Sequence, residues 1–277
     1  MTHDAHAHHD EFGGLHRDLL ATRTEIDRRG LLRLMARFGV AAGALQLVGC
    51  GSTASPTSPD SSTVGGTSSS CPSKVPSETQ GPFPGDGSNG PNVLSTSGVV
   101  RSDIRASFGG LTGEADGVPL TLVLTLVSAT SCAALAGRAV YLWHCDRLGR
   151  YSLYNTGVTN QNYLRGVQEA DAGGKVTFAT IYPGCYSGRW PHIHFEVYPS
   201  LAASTNVNNK TATSQIAMPK SANDLVYATS GYESSAVNQS QITLATDGVF
   251  SDGASLELAT VTGSAASGLT ATLTIAI

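Results

Sequence analysis

The sequence predicts an all-β domain, an antiparallel β-sandwich. Three observations carry this: short runs in which residues alternate with period two, turn signals between those runs, and no comparable helical stripe. Residues 120–127 set leucines at 120, 122, 124 and 126 against Thr121, Val123, Thr125 and Val127, which gives a strand with one apolar face. Residues 139–145 place Tyr141 and Trp143 on one face and Val140 and Leu142 on the other. Further strands are predicted at 176–181, 191–198, 242–246, 256–260 and 269–275. The turns between them are Ala172-Gly173-Gly174, Ser251-Asp252-Gly253 and Thr262-Gly263-Ser264. Residues 200–235 are rich in Asn, Ser and Thr and read as long loops, with one helical turn near residues 221–227.

Composition bounds the rest. A chain of 277 residues that is 40% hydrophobic and 14% charged supports one medium domain. With 17 Lys and Arg against 21 Asp and Glu, and no basic run interleaved with aromatics, a nucleic-acid backbone is excluded as the expected partner. The N-terminus reads differently from the domain. Asp27-Arg28-Arg29-Gly30-Leu31-Leu32-Arg33 is followed by an uncharged segment ending in Leu47-Val48-Gly49-Cys50. This order resembles a twin-arginine export signal joined to a lipoprotein cleavage site. The expected organisation is a signal peptide over 1–49, a lipid-anchored Ser/Thr/Gly/Pro tether over 50–77 and the sandwich over 78–277. The corresponding expectations are membrane contact through lipidated Cys50, the twin-arginine export machinery as partner, and an exported, membrane-anchored lipoprotein. His3, His6, His8, His9 and His16 would leave with the signal and build no site. Of the remaining cysteines, Cys71 and Cys132 lie outside the clearest strands and are expected to pair, while Cys145 and Cys185 sit beside core segments.

The chemistry concentrates between Tyr151 and His194. In Arg189-Trp190-Pro191-His192-Ile193-His194-Phe195-Glu196-Val197 the two histidines share a strand face, opposite Ile193, Phe195 and Val197. Two converging imidazoles suit a metal ion; the alternative is a pair of exposed strand histidines without a ligand. Tyr186 lies on the Gly/Pro-rich connection just before them, and Tyr151 follows the turn Leu148-Gly149-Arg150. A phenol titrates near pH 10 in water, so holding two as phenolates at neutral pH takes a strongly Lewis-acidic centre, which points to ferric iron rather than zinc or Cu(I).

Several segments match a known family in order. They are Arg101-Ser102-Asp103-Ile104-Arg105, Tyr141-Leu142-Trp143-His144-Cys145-Asp146 with Gly149-Arg150-Tyr151, Leu164-Arg165-Gly166, Thr180-Ile181-Tyr182-Pro183-Gly184-Cys185-Tyr186, and Arg189 to His194. From about Glu78 to the C-terminus the chain resembles the intradiol ring-cleavage dioxygenases, the family of catechol and protocatechuate dioxygenases. The resemblance implies a sandwich of that type and a mononuclear non-haem Fe(III) held by Tyr151, Tyr186, His192 and His194. It also implies a catechol-type substrate bound as its dianion, O2 as co-substrate, and ring opening between the hydroxylated carbons to a cis,cis-muconate. Tyr186 takes the role of the displaced phenolate, and Arg189 and Gln215 correspond to the family's second pair of functional residues. Outside the resemblance, Arg189 has Glu196 as an alternative partner and Gln215 reads as a loop residue. His144 is expected to be structural rather than a ligand. Phe83, in Glu78-Thr79-Gln80-Gly81-Pro82-Phe83, stands where relatives commonly carry a tyrosine, which leaves catechol, protocatechuate and hydroxyquinol-like rings open as substrates. The competing functional class is an exported, non-catalytic module binding aromatics or copper. The assembly state stays open as well, since the helical region that dimerises the catechol-specific branch is replaced here by the tether.

Overall fold

The computed structural model describes residues 71–277. Eight strands form two four-stranded sheets. In chain order they are β1 (Pro119–Val127), β2 (Ala139–Trp143), β3 (Arg165–Glu169), β4 (Lys175–Ile181), β5 (His192–Tyr198), β6 (Ala212–Ala217), β7 (Thr260–Ser264) and β8 (Gly268–Ala276). One sheet runs β4-β1-β8-β7 and the other β3-β2-β5-β6. All pairings are antiparallel except β1 with β8, which is parallel, so the first sheet is mixed.

The sheets face each other through the apolar side of each strand. Leu120, Leu122, Leu124 and Leu126 of β1 pack with Phe178 of β4, Leu269 and Ile275 of β8, Val140 and Leu142 of β2, and Ile193, Phe195 and Val197 of β5. Removing these side chains from water supplies the main drive for the sandwich, roughly 1.5–3 kcal/mol for each large aliphatic or aromatic group. Tyr141 and Trp143 point the other way, into a second apolar cluster with Phe83, Phe108, Tyr151 and Tyr186. The alternation of β2 and β5 therefore separates a core face from a site face.

Two helices correct the all-β expectation: α1 (Lys220–Tyr227), which extends the expected helical turn, and α2 (Glu233–Gln239). Both brace the connection that carries Tyr186. The Ser235 hydroxyl of α2 accepts from Cys185 N at 2.9 Å, Asn238 Nδ2 donates to Cys185 O at 2.8 Å, and the Tyr227 hydroxyl of α1 donates to Pro183 O at 3.0 Å. Two predicted strands are absent. Residues 242–246 turn on themselves, because the Thr246 hydroxyl accepts from Thr243 N at 3.0 Å and Thr246 N donates to Thr243 O at 3.1 Å, which offers the backbone a local alternative to a ladder. Residues 256–259 begin as a turn on Ala254 O, and regular pairing starts only at Thr260. The predicted turn at Thr262 to Ser264 falls inside β7. β3 and β6, both rich in polar residues, form strands in segments read as motif and loop.

Cys71 and Cys132 form the expected disulfide, and Cys145 and Cys185 are free and buried. Packing begins upstream of residue 78: Val75 is buried, and its N–H donates to Ala276 O at 2.9 Å. The expectation of an exported, membrane-anchored lipoprotein partnered by the twin-arginine machinery is corrected here. Cys71, the first cysteine of the described residues, is tied to the domain by its disulfide to Cys132. No helix among the described residues is long and apolar enough to cross a membrane. The N-terminal end of the domain is thus held by a protein cross-link. The arginine pair, the five leading histidines and Cys50 lie outside the described residues.

Candidate metal centre

His192 and His194 open β5, and the strand's pleat aims both at one point while Ile193 anchors the strand in the core. Tyr151 reaches that point from the turn after β2. Asp146 organises this turn: Oδ1 accepts from Leu148 N and Arg150 N at 2.9 and 3.0 Å, and Oδ2 accepts from Arg150 Nε at 2.9 Å and the Tyr163 hydroxyl at 3.0 Å. Gly149 has φ 80°, and a Cβ on it would stand 3.0 Å from Tyr186 Cβ, so glycine lets the two tyrosine-bearing loops touch. Tyr186 comes from the braced connection after β4.

The four side chains meet. His192 Nε2 lies 3.4 Å from the Tyr151 hydroxyl, 3.4 Å from the Tyr186 hydroxyl and 3.1 Å from His194 Nε2, which lies 3.2 Å from the Tyr151 hydroxyl. None of the four is more than 4% exposed, so water does not compete for these atoms. His192 Nδ1 sits 2.5 Å from Trp190 O. A carbonyl only accepts, so Nδ1 carries the proton and the Nε2 lone pair faces the cluster. The His194 ring stacks on Trp143 at 4.9 Å with planes 3° apart, which fixes its orientation. Burial, together with the nearby Arg189 charge, pushes both imidazoles well below the usual histidine range and keeps them neutral.

Neutral imidazoles and phenols that converge in a dry site fit a metal ion. Donors about 2 Å from one ion stand roughly 3.0–3.4 Å apart, the range in which each of the four atoms lies from a neighbour. His194 Nε2 faces the cluster, while its buried Nδ1 has no hydrogen-bond partner within the protein. Among the described residues, no group of three or more His, Cys, Asp or Glu side chains is placed to hold a metal, so the two phenols are essential to any ion bound here.

Around the cluster lies a second set of polar contacts. Arg189 is buried, and its Nη2 donates to Gln215 Oε1 at 2.7 Å. Gln215, on β6, is the cross-strand partner of His194, and its Nε2 donates to Thr79 O at 2.8 Å. Arg189 pairs with Asp247 at 2.9 Å rather than with Glu196, which is bound by Lys210 and the Tyr198 hydroxyl. Phe83 lies over Tyr151 with ring centroids 5.0 Å apart. Its carbonyl and that of Pro84 accept from the buried Arg165 guanidinium, which also donates to Ser152 O beside Tyr151. His144 is buried and structural: its ring nitrogens contact Cys145 O at 2.8 Å and the Thr180 hydroxyl at 2.7 Å. Sequence reasoning missed Asp247, Phe250 and the stacking role of Trp143. Asp247 lies 58 residues from its partner, just past a run read as a strand, and spacing alone carries no signal for it.

Residues 99–204 match the family model described as dioxygenase. In this match and in its fold the domain is similar to the intradiol ring-cleavage dioxygenases. An intradiol ring-cleavage dioxygenase from Tetranychus urticae is 26% identical with a TM-score of 0.53, over 65% of this chain and 86% of that one. The dioxygenase Tetur07g02040 gives 26% and 0.54 over the same shares, 65% and 86%. The dioxygenase domain of a dioxygenase and carbohydrate-binding protein fusion from Streptomyces sp. SirexAA-E is 22% identical with a TM-score of 0.47, over 74% of this chain and 97% of that one. Among curated proteins no sequence matches. The buried His/Tyr cluster resembles the Fe(III) site of this family.

Proposed function

We propose that this protein is an Fe(III)-dependent dioxygenase that opens a catechol-type ring between its two hydroxylated carbons, using O2 and giving a cis,cis-muconate-type product. The observation that carries the reading is the meeting of two phenol oxygens and two imidazole nitrogens, each 3.1–3.4 Å from a neighbour, in a buried site. Tyr151, Tyr186, His192 and His194 would hold the iron. Bound there, ferric iron supplies Lewis acidity that lets the phenols stay ionised and draws electron density from a catecholate toward reaction with O2.

The chain's own groups account for the remaining needs. Tyr186, which reaches the cluster from the braced connection after β4, would accept a catechol proton at its phenolate oxygen. The histidines, held by β5, stay in place. Arg189 presents a permanent positive charge to the negative charge that builds on substrate oxygen and carbon, and Gln215 holds the guanidinium from its far side. Phe83 closes the wall beside Tyr151 with a ring that has no hydroxyl, so it selects by shape and apolar contact rather than by hydrogen bonding.

Incubating iron-loaded protein with a panel of catechols under O2 tests the proposal. The expected result is a red-brown protein whose visible band shifts when a catechol is added without oxygen, and a muconate-type product once oxygen is admitted. A colourless iron-loaded protein, or a product cleaved outside the hydroxylated carbons, would refute it.

A further inference from the structure

Arg189 is a buried cation, 1% exposed, and it is paired with an Asp247 side chain that is fully buried. Taking two charges out of water is costly, so a buried pair by itself contributes little net stability. The geometry around Asp247 shows what it does. One oxygen, Oδ2, accepts from Arg189 Nε at 2.9 Å and from the next backbone amide, Trp190 N, at 2.7 Å. The other, Oδ1, accepts from Val249 N at 2.8 Å and Phe250 N at 3.1 Å. All four groups are donors, so only an acceptor-only, ionised carboxylate satisfies them. An asparagine would turn its own N–H2 toward two N–H groups in either orientation.

Because the same oxygen holds the arginine's Nε and the following amide, the side chain is fixed relative to the segment that leads into His192. Gln215 secures the guanidinium at Nη2, and Gln215 is itself held by Thr79 O and sits opposite His194. The turn that Asp247 Oδ1 forms places the Phe250 ring 5.9 Å from Arg189 Cζ and 6.4 Å from the His192 ring, as a wall between them. Both Asp247 and Gln215 lie beyond the residues matched by the family model.

We propose that Asp247 is a positioning residue: it acts through Arg189, holding the guanidinium in one orientation beside the Tyr151, Tyr186, His192 and His194 cluster. The inference rests on the dioxygenase reading for its consequence in turnover and on geometry alone for its consequence in Arg189. A double-mutant cycle of wild type, Asp247→Asn, Arg189→Met and the double variant tests it. Each is loaded with iron and assayed for kcat and KM and for iron content and visible band, and is loaded with diamagnetic Ga(III) for the exchange rate of the Arg189 Nε–H by nitrogen NMR.

The expected result is a fall in kcat of about 10- to 100-fold in Asp247→Asn, the range typical for losing a residue that orients a functional one. KM stays within a few-fold, iron content and band are unchanged, and the Nε–H exchanges rapidly. In the Arg189→Met background the same change costs nothing further. Equal losses in both backgrounds, or loss of iron in step with kcat, overturns the proposal, since either marks a merely structural role. If Asp247→Asn does not fold, the wild-type resonance decides, identified by its disappearance in Arg189→Lys: slow exchange supports the proposal and exchange as fast as in surface arginines overturns it. A wild type that opens no ring yet protects the Arg189 Nε–H sinks the dioxygenase reading and leaves the hold of Asp247 on Arg189 standing.

Discussion

The two sheets present alike faces to each other and opposite faces outward. Outward from β1, β8 and β7 stand Thr121, Thr125, Thr270, Thr272, Thr274, Thr260 and Thr262, all exposed or half-buried. Outward from β2, β5 and β6 stand Tyr141, Trp143, His194, Glu196, Tyr198 and Gln215, all buried. The cause is what lies on top. The threonine face meets water, so it needs only side chains that water can satisfy. Residues 78–84 and the loop carrying Tyr151 cover the second face, and each polar group beneath them needs a partner or a ligand. Covering a polar sheet face with loops thus creates the dry, donor-rich space that a metal centre requires.

The contrast can be broken most sharply at the covered face. His194→Ala should weaken iron retention by more than about 100-fold, beyond the effect of losing an outer partner, measured as metal content after dialysis against a chelator. Tyr151→Phe keeps the ring packed on Phe83, so it should leave folding intact while shifting or bleaching the visible band. Between the sheets, Phe195→Ala should cost about 3–5 kcal/mol in denaturant unfolding, because its cavity opens in the shared core.

Histidine 144 gives a pH dependence of comparable size. Burial lowers its pKa from 6.5 to about 4, so the fold favours the neutral ring. Its contribution is complete above pH 6.5 and is lost as pH falls toward 4, up to about 3 kcal/mol in all. Thermal melts between pH 7 and pH 4 should therefore be less steeply pH-dependent in His144→Gln than in wild type. The smallest effect belongs to the open face: Thr272→Ala should change stability by no more than about 0.5 kcal/mol. A larger loss there would mean that the threonine face is not simply solvated.

The same contrast explains what was legible in the sequence. β1 and β8 alternate between apolar and threonine because one side is wet, and their periodicity marks them directly. β3 and β6 mix polar with few apolar residues, Arg165 and Gln215 among them buried, so their composition reads as loop although their backbone pairs as strand. His192 and His194 were legible because alternation puts them on one face whatever the tertiary contacts. Tyr151 and Tyr186 are legible as tyrosines beside a turn and a Gly/Pro-rich connection, but their place as ligands comes from the family motifs, since no local rule brings two loops together. α2 escaped notice because its seven residues carry little apolar periodicity, and its stabilising contacts are hydrogen bonds to distant loop backbone. Asp247 escaped for the same physical reason: its partners are amides and a guanidinium whose approach depends on the finished fold.

The hydrogen bond from Val75 to Ala276 has a practical corollary. It sets the first packed residue and the end of the last strand side by side, so the two could be spliced by a short linker. New termini could then be cut at the exposed turn around Gly173, which lies away from both the covered face and the strands' shared interior. Such a circular permutant, which omits Cys71 and its disulfide to Cys132, should fold to the same sandwich.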